Sequence, residues 1–144
     1  LTDSGYPRLI KRWHRGTALS DAVTMFEGQR QDVLASVSVD RTPGFERTLF
    51  VRALDFYNQQ YFLLSHEAAP PRHAPALQPL DVPTDAQVHF WRDSLLLHLR
   101  SDLLVGRTRH PSGSLLCADA AAYLRGEREF QALFSPTDTR SLVG

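Results

Sequence analysis

Apolar and polar residues alternate with a period of two along much of this chain, and that period predicts strands. In PRLIKRWHR, Leu9, Lys11 and Trp13 fall on one face and Arg8, Ile10, Arg12 and His14 on the other. This is an imperfect strand, ended by Gly16. Its arginine and lysine stems can lie along apolar neighbours while their charges stay in water. Thr17 to Ala22 predicts a loop or one helical turn, and VTMFEG a short strand stopped by Gly28. From Asp32 to Asp40, Val33, Ala35, Val37 and Val39 alternate with Leu34, Ser36 and Ser38, the pattern of a half-buried strand. RTPGFE is a turn. Arg47 to Phe56 and Gln60 to Ser65 form a predicted hairpin around YNQQ, where Asn58 suits a positive backbone angle.

The next stretch changes character. Pro70, Pro71, Pro75, Pro79 and Pro83 predict an extended, exposed loop, because proline cannot donate to a sheet ladder. Leu77 to Val82 can still be an edge strand, where proline is tolerated. Strands are then predicted near Ser94 to Arg100, Leu103 to Arg109 and Ser114 to Ala118. DAAAYLRG reads as a short helix, with Asp119 as its N-cap and Gly126 as its stop. A last strand is expected from Phe130 to Phe134, followed by a polar tail.

The fold class is therefore mainly all-β. Four consecutive antiparallel strands in a little over about 45 residues have the size of one β-propeller blade. The expected organisation is the end of one blade in residues 1–31, a four-stranded blade in 32–83, and a second, irregular blade with a short helix in 84–144. Together they make an incomplete propeller. A β-sandwich is the alternative.

Composition narrows the function classes. The 144 residues carry no net formal charge, so a nucleic-acid face would have to be local. Lys11 is the only lysine among 16 basic residues, which reflects an arginine-rich source more than a function. Cys117 is the only cysteine, so no internal disulfide can form, and its apolar surroundings predict a small buried thiol. No apolar run has the length of a membrane span and no signal peptide opens the chain, so no membrane partner is expected. A cytoplasmic location is expected, with the periplasm as the alternative. A chain that opens at Leu1, with no initiator methionine, is expected to be a fragment or a processed product.

Several short motifs occur together and in order: SGYPR, KRWHRGT with its Trp-x-Arg-Gly core, FEG, PGFER, RALDFYN, LRSD and LLCAD…YLRGEREFQALFSPT. In these the chain resembles the propeller region of bacterial prolyl oligopeptidase family serine peptidases. Tyr6, Pro7, Arg8, Trp13, Arg15 and Gly16 are the motif residues of the opening stretch. The Pro-rich segment from Glu67 to Ala76 departs from the resemblance. What the resemblance implies is a seven-bladed propeller that covers an α/β-hydrolase domain with a Ser-Asp-His triad and admits only short peptides. This chain would be a non-catalytic part of that propeller. Its partners would be the hydrolase domain, the neighbouring blades and, through the parent, short peptides cleaved after proline. Unpaired sheet edges would also allow self-association. The alternative function is a freestanding β-rich module binding a peptide or protein at such an edge.

The residues themselves hold no catalytic motif. A hydrolase of this kind needs a Gly-x-Ser-x-Gly elbow. The nearest stretch, HPSGSLL, places Ser112 after a proline and Ser114 before leucines, which suits a hairpin turn. His14, His66, His73, His89, His98 and His110 are scattered, with no metal-ligand spacing, so no metal or cofactor is expected. The pairs Asp81 and Asp85, and Glu127 and Glu129, read as solvated surface carboxylates. Arg8 to Arg15 around Trp13 could stack bases and contact phosphates. Alternation along a strand and a neutral chain favour instead a solvated propeller strand with Trp13 packed between blades, and no nucleic-acid partner.

Overall fold

The computed structural model describes residues 1–64 and 77–137. The expected proline loop up to Ala76, with His66 and His73, and the tail after Thr137 lie outside the described residues. Within them the chain forms β1 (Leu9–Arg12), β2 (Val23–Glu27), β3 (Leu34–Asp40), β4 (Arg47–Ala53), β5 (Gln59–Leu64) and β6 (Leu77–Pro79). It continues with β7 (Gln87–Trp91), β8 (Ser94–His98), β9 (Leu103–Val105), β10 (Thr108–His110), β11 (Leu115–Asp119), α1 (Ala120–Leu124) and β12 (Gln131–Phe134). A 3-10 turn at Leu19–Asp21 is the single helical turn expected before β2. Among the described residues no helix is long and apolar enough to cross a membrane.

The backbone divides into two compact units, Leu1–Leu80 and one beginning at Asp81. In the first, β3, β4, β5 and β6 make an antiparallel sheet in chain order. β6, with Pro79, is the outer strand, where a missing N–H costs no ladder bond. β1 and β2 pair separately as a two-stranded ribbon, with an irregularity between Ile10 and Lys11. The ribbon lies on one face of the sheet. Phe26 stacks on Phe50 with ring centroids 5.2 Å apart and meets Phe62 at 5.3 Å. Ile10, Met25, Leu64 and Leu77 pack around this cluster. Burying Phe50, which is 1% exposed, stabilises the unit by about 2–3 kcal/mol on its transfer free energy alone.

A buried ion pair joins the ribbon's base to the sheet. Asp32 is 2% exposed and takes both Nε (2.8 Å) and Nη2 (3.0 Å) of Arg52 on β4. The same carboxylate accepts the Gln29 N–H at 2.6 Å, which fixes the turn after β2. Gly28 has to be small here, since a Cβ would stand 3.0 Å from Asp32 Oδ2 and 3.4 Å from the Ala35 Cβ. Arg52 also donates to Gln60 Oε1.

In the second unit the sheet order is β12-β11-β8-β7, again antiparallel throughout. Val88, Leu97 and Leu116 stand opposite one another across three strands, and each is buried. Leu95 and Ala118 form the next row of the same face. Asp119 caps α1 by accepting the Ala122 N–H at 2.9 Å, and Gly126, at φ +102°, ends the helix, as the sequence predicts.

Four expectations need correction. Leu103 to Arg109 is not one strand: β9 and β10 form a small hairpin turning at Gly106, whose φ is +59°. β7 was not predicted, although Val88 and Phe90 alternate with polar neighbours. The turn before β5 does not use a positive angle at Asn58. The Asp55 carboxylate instead accepts the N–H groups of Tyr57 (2.7 Å) and Asn58 (2.8 Å) and holds the Asn58 amide. On β3, Ala35 is buried in the phenylalanine cluster, but Val37 and Val39, on this outer strand, are 41% and 54% exposed.

Removing one partner of the buried pair leaves the other charge stranded. Arg52→Ala is expected to destabilise the fold by about 3 kcal/mol in urea unfolding. Phe50→Ala is expected to cost about 4 kcal/mol by leaving a cavity beneath the ribbon. The hydrogen bonds from Arg52 hold the Asp32 carboxyl below its ordinary pKa. Its stabilisation is thus complete above the unfolded-state pKa of about 3.9 and is lost as the pH falls through the lower folded value. Asp32→Asn should therefore show a shallower loss of stability below about pH 4 than the parent chain.

Candidate functional site

The motif residues of the opening stretch divide into two groups. Tyr6, Pro7 and Arg8 sew the segment to its neighbours. The Tyr6 N–H donates to Thr2 Oγ1 (3.1 Å), Pro7 accepts the Ala35 N–H (2.8 Å) and Arg8 accepts the Gly28 N–H (2.8 Å). The Arg8 guanidinium pairs with Glu27 at 3.1 Å. Trp13, Arg15 and Gly16 instead shape the ribbon's tip. The Thr17 N–H and hydroxyl both donate to the His14 carbonyl, at 3.2 and 2.6 Å, and the Trp13 indole N–H donates to the Thr17 carbonyl at 3.1 Å. Gly16 supplies the φ of +88° that closes this turn. Trp13 is therefore not a packed anchor within the described residues. It is 48% exposed, with its indole N–H held to the turn at Thr17.

The serines and histidines are not brought together as a catalytic set. Ser112 donates its hydroxyl to the Arg100 carbonyl (2.6 Å) and its N–H to Asp102 (2.7 Å). Its turn continues through Gly113 at φ +89°, so PSG is the turn expected of it. Asp102 also receives Arg109, and these bonds lower its carboxyl pKa, Arg109 contributing most. Ser114 is fully buried. The His98 ring bonds Gln87, and the His110 ring lies edge-on to Phe130. Among the described residues no cluster of His, Cys, Asp and Glu is arranged to hold a metal ion.

A concave feature with mixed chemistry lies in the second unit. A cavity of about 410 Å³ opens beside β11, α1 and β12. Cys117, Tyr123 and Phe130 line it, with Asp93, Asp119, Glu127 and Glu129 around them. The strand pleat turns Leu116 and Ala118 to the buried face and leaves Cys117 on the other, so the thiol is half-buried on a cavity wall and not in the core. Tyr123 is fixed from several sides. Its hydroxyl donates to the Asp81 carbonyl, its ring meets Phe130 at 5.7 Å, and Arg128 stacks 3.8 Å above it. Burial raises the phenol's pKa, and the Arg128 charge opposes that rise. Asp81 carries Arg128 at 3.2 Å and Glu127 faces Arg125 at 3.6 Å, both as exposed surface carboxylates.

No family model matches the chain. It is similar along its whole length to part of an uncharacterized peptidase of Sinorhizobium fredii (strain NBRC 101917 / NGR234), at 29% identity over 150 residues. An uncharacterized peptidase of Rickettsia prowazekii (strain Madrid E) is 26% identical over 144 residues and covers 96% of the chain. The chain spans only 20% and 19% of the length of these two relatives. Among solved structures, a post-proline cleaving enzyme from Rickettsia typhi superposes on 95% of the chain with a TM-score of 0.84 at 23% identity, using 20% of its own length. The prolyl oligopeptidase resemblance carried by the motifs is upheld. The two four-stranded sheets are propeller blades, and the β-sandwich alternative falls away.

The acidic surroundings of the cavity predict a charge preference at Cys117. A small cationic thiosulfonate should label it faster than its anionic counterpart, by about fivefold at low salt. Mass spectrometry of the folded chain measures this, and 1 M salt should largely erase the difference.

Proposed function

We propose that this chain is a non-catalytic propeller segment of a serine peptidase of the prolyl oligopeptidase family. The whole protein, in this reading, hydrolyses short peptides after proline through an acyl-enzyme. The propeller segment screens access to a separate hydrolase domain, its partner in the parent. One observation carries the reading: a chain of two blade-type sheets matches, almost end to end, a fifth of a post-proline cleaving enzyme. The serines support it, since Ser112 is tied into a turn and Ser114 is buried. The proposed compartment is the cytoplasm, where a lone half-buried thiol stays reduced. Supplied alone with a chromogenic prolyl peptide, the chain should show no turnover. Turnover abolished by a serine-directed inhibitor would overturn the non-catalytic assignment. In the whole protein, kcat/KM should fall steeply as the peptide lengthens around an unchanged proline site. Equal cleavage of long and short peptides would remove the screening role.

A second reading, an edge-binding interaction module, has one specific observation in its favour. β3 is an outer strand of its sheet and exposes Val37 and Val39. Exposed apolar edges invite strand addition. Under this reading the isolated chain self-associates, and its mass by light scattering rises with concentration. A constant monomer mass at high concentration counts against it.

A further inference from the structure

The β1–β2 ribbon is fixed at one end and chemically unspent at the other. Its base is held by Arg8, Gly28 and the Asp32–Arg52 pair. Its tip carries Lys11, Arg12 and Arg15, all exposed. Among the described residues none of the ion pairs uses these three cations, whereas Arg8, Arg30, Arg52, Arg109, Arg125 and Arg128 each meet a carboxylate. Asp21 is the one carboxylate between Lys11 and Val23. A chain with no net charge thus gathers unneutralised positive charge at one end of the ribbon. Apolar surface stands beside it: Trp13, Leu19 and Val23 are 48%, 76% and 43% exposed. The turn bonds from Thr17 to His14 and from Trp13 to Thr17 hold this surface in one shape, so little ordering entropy is lost on binding.

We infer that the ribbon tip docks acidic polypeptide segments, with carboxylates meeting Lys11, Arg12 and Arg15 and an apolar side chain lying against Trp13 and Leu19. Arginine and tryptophan together are typical of protein-binding surfaces. A nucleic-acid strand is the poorer fit, because the tip offers one aromatic for stacking and the chain as a whole carries no net positive charge. In the parent peptidase this would favour acidic peptides, a meaning that rests on the screening role proposed above. Binding itself is read without turnover, so either idea can fail alone.

The probe is a fluorescein-labelled peptide, Glu-Glu-Leu-Glu-Glu-Leu-Glu-Glu, titrated with the chain and followed by anisotropy. Binding should be detectable at about 50 mM salt and weaken markedly by about 300 mM. Lys11→Glu/Arg12→Glu/Arg15→Glu should weaken it by about tenfold or more, as expected for three reversed surface charges. The neutral triple variant with glutamine at the same positions should fall between. Circular dichroism checks that both variants keep the fold, and Arg107→Glu, on the β9–β10 turn of the second unit, should bind as the parent does. Unchanged affinity in both folded triple variants would overturn the assignment. So would tighter binding of a single-stranded oligonucleotide of equal charge, which would make the tip a nucleic-acid surface.

Discussion

Asp32 carries three donors on two oxygens, and the first unit is organised around that fact. Its carboxylate is almost fully withdrawn from water, which is unfavourable for any ion left alone. Arg52 comes from the sheet and Gln29 from the turn that follows the ribbon, so the charge is satisfied only when sheet and ribbon are both in place. The phenylalanine cluster of Phe26, Phe50 and Phe62 supplies attraction without direction. The carboxylate supplies the direction. It fixes where the turn at Gly28 lies against Ala35, and hence where Phe26 of β2 lands on Phe50 of β4.

Much of the strand order was legible from period-two alternation in β1 and β3 and from short apolar runs bounded by turn residues in β4, β5 and β11. The capped helix was legible too, because Asp119 and Gly126 announce its ends. Legibility failed where a local rule was replaced by a contact distant in sequence. Asp32 reads as the first residue of a strand, and its partner lies 20 residues away on a strand that gives no sign of a buried charge. β7 ends in Trp91 and turns through Arg92, held at φ 52°, a conformation arginine gives no hint of adopting. The exposure of Val37 and Val39 goes with β3's place as the outer strand of its sheet, which no pattern within β3 encodes.

The site features follow the same division. That Ser112 belongs to a turn could be read from its proline and glycine neighbours, and the structure adds the acceptor that occupies its hydroxyl. The role expected of Trp13 came from its aromatic bulk; among the described residues its indole N–H bonds the Thr17 carbonyl and about half of the residue is exposed. Cys117 looked buried because its neighbours are apolar. A strand shows alternate residues to opposite sides, so Leu116 and Ala118 take the interior and the thiol takes the wall of a cavity.

The β9–β10 hairpin sits in the chain between two strands that are direct neighbours in the sheet. The Leu99 N–H donates to the Ser114 carbonyl at 2.9 Å and the Gly113 N–H to the Leu99 carbonyl at 2.8 Å, so the excursion is closed at its root. Everything from Arg100 to Ser112 is, for the sheet, a single connection. Doubling the length of such a connection adds only about 0.6 kcal/mol of closure entropy. The position is thus a natural place for lineages to gain or lose sequence without disturbing β8 and β11, and for an experimenter to splice in a reporter or an affinity tag.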